Sequence, residues 1–249
     1  MKIAVLGDVH SNLPALEAVM KKIKDLSVEA IFFLGDAVGY GPWPGETIDI
    51  LKENVAAGVL GNHDAGIVDK TDISDYYDAV RYVINWTIDT IDNEQFGFLD
   101  RLKYIHVEEK LGSFLFCHGS PRMPERYDYV FGCKDINKLY DVKLYLKNIN
   151  FIGHSHYMNL FVMTGEGKSV ELGISQGEVE IKYPYPVVCV CGSVGQPRDG
   201  DPRAGFVVYD TEKKTISFHR VEYDIEKTIQ KIESLKLPGT YGRRLRNGF

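Results

Sequence analysis

Five times along this chain a short β-prone apolar run gives way to a cluster of glycine with aspartate, asparagine or histidine. The runs cover residues 3–6, 30–34, 55–60, 113–117 and 150–152. The clusters that succeed them are Gly7-Asp8-Val9-His10, Gly35-Asp36, Gly61-Asn62-His63-Asp64, His118-Gly119 and Gly153-His154-Ser155-His156. Helical stretches separate the early runs. Leu13, Leu16, Val19, Met20, Ile23 and Leu26 recur at helical spacing, with Ser11 and Asn12 offering an N-cap and Pro14 in the first turn. A second helix is predicted over 46–54. Strand alternating with helix is the pattern of an α/β sheet, whose sites gather at the carboxyl ends of its strands. The five polar clusters are therefore expected to meet in space. Five of the seven histidines lie in them, leaving only His106 and His219 elsewhere.

The donors in these clusters are Asp8, His10, Asp36, Asn62, His118, His154 and His156. A single zinc ion takes three or four protein ligands. Seven oxygen and nitrogen donors without a thiolate suit two ions, with a carboxylate bridging them at the roughly 3.5–4 Å separation of two-metal hydrolytic sites. On that count His154 and His156 serve one ion each. The donor set favours Mn²⁺, Fe or Zn²⁺ over Ca²⁺. The alternative, a polar core, would require every one of these groups to find another partner.

The remainder is organised around this frame. Residues 74–102 read as one or two helices, longer than an ordinary crossover, hence a helical insert at about 68–104. A helix is predicted over 135–146. Beyond it, strands are predicted at 158–164, 177–183, 187–191, 205–210 and 215–220, with turns at 165–168 and 210–214, and a last helix at 223–235. The expected fold is α/β (α+β): two sheets packed face to face with helices outside, in one domain spanning 1–249.

The net charge of −6 argues against a broad basic footprint for duplex nucleic acid. It leaves room for a small phosphorylated substrate, because bound cations dominate the local field. Arg243, Arg244 and Arg246 read as a solvated tail. Cys117, Cys189 and Cys191 lie in apolar runs and no CxxC pair occurs. The opening MKIAVLGDVH is too short and polar for a signal peptide, and no run approaches a membrane span. The expectation is a reduced, cytoplasmic chain without a membrane partner, with oligomers possible.

Taken together, GDVH, GD, GNHD, HG and GHSH, in that order over residues 7–156, resemble the calcineurin-like metallophosphoesterase family. The resemblance implies a four-layer αββα sandwich of two mixed sheets. It implies that Asp8, His10, Asp36 and His156 hold one divalent ion and Asp36, Asn62, His118 and His154 the other, with manganese the expected ion in vitro. His63 matches the non-ligand histidine near the leaving group, and Asp64 is expected to orient its ring. The implied reaction is attack on phosphorus by metal-activated hydroxide.

For the substrate, Arg122, Arg126, Arg198 and Arg203 are candidate phosphate contacts. Tyr40, with Trp43, Tyr76, Tyr77, Tyr82 and Trp86, offers rings for stacking a nucleobase. The loop 192–204 and the stretch 237–248 resemble bacterial and archaeal members acting on phosphodiesters or dinucleoside polyphosphates. The phosphoprotein branch carries an Asp-Arg pair shortly after its second motif. Here that stretch is Gly35-Asp-Ala-Val-Gly-Tyr-Gly41, which weakens a phosphoprotein reading. The other readings are a broad phosphomonoesterase and an inactive scaffold of the same fold. A scaffold typically lacks the catalytic histidine, whereas His63 is present.

Overall fold

Strand β1 (Lys2–Leu6) is buried from Ile3 onward on both faces, so both sides of its sheet must be covered. The computed structural model, which describes every residue except Tyr183, shows how. Ile3 and Val5 point between two sheets, where they meet Phe116, Phe151, Leu160, Cys189 and Phe218. Ala4 and Leu6 point the other way, onto a helical layer.

That layer is α1 (Leu13–Asp25) and α2 (Pro44–Asn54), which bury Leu16, Val19, Ile23, Ile48 and Leu51. β2 (Ala30–Phe33) and the short β3 (Ala57–Gly58) run parallel to β1. α3 (Asn62–Ile67), α4 (Asp78–Thr90) and α5 (Asn93–Arg101) come next. The chain then enters the second sheet through β4 (Ile105–Glu108), β5 (Phe114–Cys117), α6 (Cys133–Lys138) and β6 (Ile149–Ile152). β7 (Met158–Met163), β8 (Ser169–Glu171), β9 (Gly177–Glu180), β10 (Val187–Cys191), β11 (Ala204–Asp210) and β12 (Thr215–Val221) complete the strands, and α7 (Ile225–Ser234) and α8 (Thr240–Asn247) end the chain.

The sheets are six-stranded and mixed, in the orders β3-β2-β1-β11-β12-β9 and β4-β5-β6-β10-β7-β8. Phe32 stacks across the gap on Phe116 with centroids 4.4 Å apart, and Phe116 stacks on its strand neighbour Phe151 at 5.3 Å. Each such fully buried side chain contributes about 1.5–3 kcal/mol. On the outer face of the second sheet, Ile136 and Leu139 cover Leu115, Ile152, Phe161 and Val188. The expected layered sandwich is therefore present.

Several elements differ from expectation. The strand expected at 55–60 shrinks to two residues: Val59 forms only an isolated parallel bridge to Lys103, and the Leu60 N–H donates to the Lys103 carbonyl at 2.8 Å. The helix expected at 135–146 stops at Lys138 and tightens into a 3₁₀ turn, Leu139–Val142, since Leu144 and Tyr145 point to solvent and no apolar stripe continues. Asn12 precedes α1 but does not cap it. Its amide instead donates to the Gly195 carbonyl and Tyr223 Oη, and its oxygen accepts from Thr228. Strands β4 and β8 were not foreseen. Of the strand expected at 177–183, β9 covers the first part, and Tyr183 lies outside the described residues. The Arg-rich segment is helix α8, anchored by buried Tyr241 and Leu245 against Ile229 and Ile232, so it is not a solvated tail.

Candidate metal centre and active site

The polar clusters succeed β1, β2, β3, β5 and β6, and they converge at one end of the sandwich. Asp8, His10, Asp36, His118, His154 and His156 are all buried. Ligand atoms of Asp8, His10 and His156 lie within 4.8 Å of one another, as do those of Asp36, His118 and His154. His154 and His156 thus fall in different groups. Asn62 Oδ1 lies 3.3 Å from His118 Nε2, beside the second group.

Backbone carbonyls set the direction of three rings. The Nδ1–H groups of His10, His118 and His156 donate to the carbonyls of Val38, Leu34 and Gln196, at 2.9, 2.6 and 2.5 Å. Each Nε2 is thereby turned inward, the arrangement that orients metal-binding histidines. His10 Nε2 lies 3.2 Å from His156 Nε2, and His118 Nε2 lies 3.1 Å from His154 Nδ1. Asp8 Oδ1 is buried without a hydrogen-bond partner among the described residues. Inward-facing imidazole nitrogens around an unpartnered carboxylate oxygen fit divalent cations.

Charge tracks burial. Burial pushes His10 and His154 well below the ordinary histidine range, leaving them neutral, as metal ligation requires. For Asp36, burial raises the carboxyl, but His118 beside it outweighs that and holds it well below the usual range. Burial opposes charge on His118 too, yet Asp36 and Asp8 raise it to about 9.

The backbone here is unusual. Asp8, His10, Asp36, His154 and His156 all have positive φ, between 48° and 65°. Gly61 packs so close that a Cβ there would stand 2.1 Å from Asp36 Oδ1.

His63 is the second residue of α3, and its backbone N–H donates to Asp36 Oδ1 at 2.9 Å. Its Nε2 is 3.1 Å from Tyr40 Oη, while Nδ1 is buried without a partner among the described residues. A Cβ on Gly39 would lie 2.4 Å from that Nδ1, so Gly39, at φ +95°, admits the ring. Burial lowers His63 to about 4. A buried nitrogen without a partner costs less as a lone pair than as an N–H, so the proton sits on Nε2.

Asp64 does not orient that ring. Its carboxylate accepts the backbone N–H groups of Asp36 at 2.8 Å, Ala37 at 2.9 Å and Gly61 at 3.3 Å. Burial, then the Asp36 charge, raises it to about 7. It ties the loop after β3 to the loop after β2.

Beside the cluster lies a cavity of about 550 Å³ lined by Asn62, His63, Tyr40, Asp75, Tyr76, Tyr77, Tyr129, Arg198, Tyr241 and Arg244, among others. Arg198 donates to Tyr40 Oη at 3.3 Å and to Gln196 Oε1 at 2.7 Å. Tyr40 and Arg198 thus line the same cavity. Arg126 lies in an adjoining groove with Asn62, Tyr129 and His154. Arg122 and Arg203 are not in either space. Arg122 pairs with Asp141 at 3.1 Å and Arg203 with Asp201 at 2.6 Å, so each guanidinium already has a carboxylate partner. Tyr76 and Tyr77 reach the cavity, whereas Trp86 packs with α7 and α8. Tyr129 was missed. It stacks on His154 with centroids 3.9 Å apart, and nothing in its local sequence marks it.

The profile of the calcineurin-like phosphoesterases matches residues 1–163. The chain belongs to this family. Its members are metal-dependent phosphoester hydrolases, and this chain is one. It is 38% identical over 245 residues to the uncharacterized protein MJ0912 of Methanocaldococcus jannaschii, covering 98% of this chain and 96% of that one. Its fold is similar to a metallophosphoesterase from Sphaerobacter thermophilus, with a TM-score of 0.86, 29% identity, and coverage of 100% and 99% of the two chains. It also matches the fold of hypothetical protein PH1004 from Pyrococcus horikoshii OT3, with a TM-score of 0.79, 23% identity, and coverage of 100% and 98%. Among the described residues, no helix is long and apolar enough to cross a membrane.

Proposed function

We propose that this phosphoesterase, working as one unit over residues 1–249, hydrolyses a small phosphodiester or a nucleotide such as a dinucleoside polyphosphate. In this reading two divalent cations are held, one by Asp8, His10, Asp36 and His156 and the other by Asp36, Asn62, His118 and His154. The observation that carries the reading is the junction at Asn62 and His63, where the donor cluster opens into the tyrosine- and arginine-lined cavity. When bound, the cations supply Lewis acidity toward phosphoryl oxygens and a lowered pKa for water.

The chain supplies the rest. One water is consumed for each phosphorus–oxygen bond broken, and the departing oxygen must take up a proton. His63 faces the cavity neutral, with its proton on Nε2, placed to donate a hydrogen bond to that oxygen. Tyr40 Oη, 3.1 Å from His63 Nε2, takes that proton's hydrogen bond until the departing oxygen claims it; it also accepts from Arg198, and its own proton is left for a phosphoryl oxygen. Burial keeps the Tyr40 hydroxyl protonated. Arg198 brings positive charge to the same wall.

The test is a reconstitution panel. Protein stripped by chelation is reloaded with Mn²⁺, Fe²⁺, Zn²⁺, Mg²⁺ or Ni²⁺. It is assayed on a phosphodiester chromogen, a phosphomonoester chromogen and diadenosine tetraphosphate. Metal-dependent cleavage of the diester or dinucleotide is expected. His63→Ala should retain its metal and lose about 10²–10⁴-fold in turnover. Preference for the monoester would replace this reading with a phosphomonoesterase. Silence of a fully metal-loaded protein would leave the scaffold reading.

A further inference from the structure

The three arginines of α8 do three different things. Arg246 leaves the site and forms a two-point ion pair with Glu226, at 2.8 Å on each nitrogen. Arg243 points outward, exposed. Arg244 lines the cavity together with Thr240 and Tyr241. Arg198 lines it as well, from the loop after β10. Among the described residues, neither guanidinium has a carboxylate within ion-pair distance, whereas Arg122, Arg203, Arg220 and Arg246 each have one. One acid, Asp75, shares the cavity with them.

This charge exceeds what one scissile phosphate requires. That phosphate would lie at the donor cluster, where the bound cations neutralise it. The cavity continues past it, and its volume is that of a site for a whole small ligand rather than a lone phosphate. Tyr76, Tyr77 and Tyr241 wall the same space. A guanidinium left without a carboxylate in a partly enclosed space is matched by a phosphate, which it binds through paired N–H groups.

We infer that Arg244, with Arg198, binds a second phosphate of the substrate, separated along a phosphoanhydride chain from the one that is cleaved. This rests on the proposed phosphoesterase function and narrows its substrate to polyphosphorylated molecules. Arg244 is then a specificity residue contributed by the C-terminal helix.

The test uses the metal-loaded full chain as wild type, Arg244→Ala, Arg244→Lys and Arg246→Ala. Arg244 is exposed, so its replacement leaves the fold intact. The first measurement is the ratio of kcat/KM for diadenosine tetraphosphate to that for a single-phosphate diester chromogen. Arg244→Ala should lower this ratio about 10–100-fold, the size of a lost charge-assisted phosphate contact, through KM rather than kcat. Arg244→Lys should recover part of it, and Arg246→Ala should match wild type. The second measurement needs no turnover. It is the affinity for inorganic tripolyphosphate by calorimetry, which Arg244→Ala should weaken by a similar factor. An unchanged ratio and an unchanged tripolyphosphate affinity would overturn the inference even in an active enzyme. Inactivity of every form on every substrate, with an Arg244-dependent tripolyphosphate affinity, would overturn the phosphoesterase reading and leave the second-phosphate site standing. Tripolyphosphate cleavage with the same Arg244 dependence would assign the site to the phosphate chain alone, whereas cleavage of the dinucleotide only would add the tyrosine walls to recognition.

Discussion

The donor cluster and the cavity beside it share Asn62 and His63, yet they are held in place by different means. In the cluster, six donors are buried and five stand in the left-handed region. Such residues cost of order 1–3 kcal/mol each and persist only where surrounding structure over-determines them. The over-determination is visible. Ring nitrogens are pinned by carbonyls, and the loops spring from strands buried on both faces. The cavity wall is looser. Tyr77 is 86% exposed and Tyr129 47%. Its far side rests on a small apolar cluster of its own, in which α4 meets α7 and α8 through Val83, Ile229, Ile232 and Leu245. Charge placement is thus built on the sandwich, and recognition is built on a satellite that can give without disturbing it.

That contrast can be broken at either side. The largest effect is expected at Asp36, the donor proposed to serve both cations. Asp36→Ala should lose bound metal and more than about 10³-fold in activity, since several kcal/mol of charge stabilisation disappear. Elemental analysis and thermal melts with and without Mn²⁺ would check it. A variant that still melts higher with metal would show that Asp36 is dispensable to the centre.

Leu245→Ala cuts the satellite instead. A buried leucine truncated to alanine costs about 2–5 kcal/mol. Here the loss should appear as faster hydrogen exchange confined to α7, α8 and α4, with metal content intact. Exchange spreading into β1 or β6 would mean that the two regions are one cooperative unit. Asp64→Asn sharpens the picture from the other side. It turns an amide toward four peptide N–H groups, so stability should fall by about 1–3 kcal/mol while the His63 ring keeps its Tyr40 contact. A purely kinetic defect with an unchanged melting point would return Asp64 to a chemical role. The smallest effect belongs to Tyr77→Ala, which should leave the melting temperature alone and raise KM for a nucleotide a few-fold. No change on any substrate would take Tyr77 out of the wall's function.

The cluster was legible because its signals are local. Each donor cluster comes after a strand and contains a glycine, and carboxyl ends of parallel strands share one edge of a sheet. The pairing of Asp8 with His156, 148 residues apart, is a direct consequence of that rule. The wall has no such grammar. Tyr76, Tyr129, Arg198 and Arg244 come from four segments brought together only by how the insert and the last helices pack. Arginines illustrate the difficulty. Arg122 and Arg198 look alike in sequence, and only the neighbouring Asp141 decides that the first is occupied. α8 escaped notice because two apolar side chains, Tyr241 and Leu245, are all that dock it among basic residues.

Gly61, Asn62, His63 and Asp64 are four adjacent residues with four separate duties. The first leaves room for Asp36, the second stands with the donors, the third faces the cavity, and the fourth fastens a neighbouring loop. For anyone transplanting this chemistry into another scaffold, the tetrapeptide is one indivisible part. Moving His63 alone would carry over a ring without its socket. Moving all four would also demand a recipient whose second strand ends in peptide groups waiting for a carboxylate.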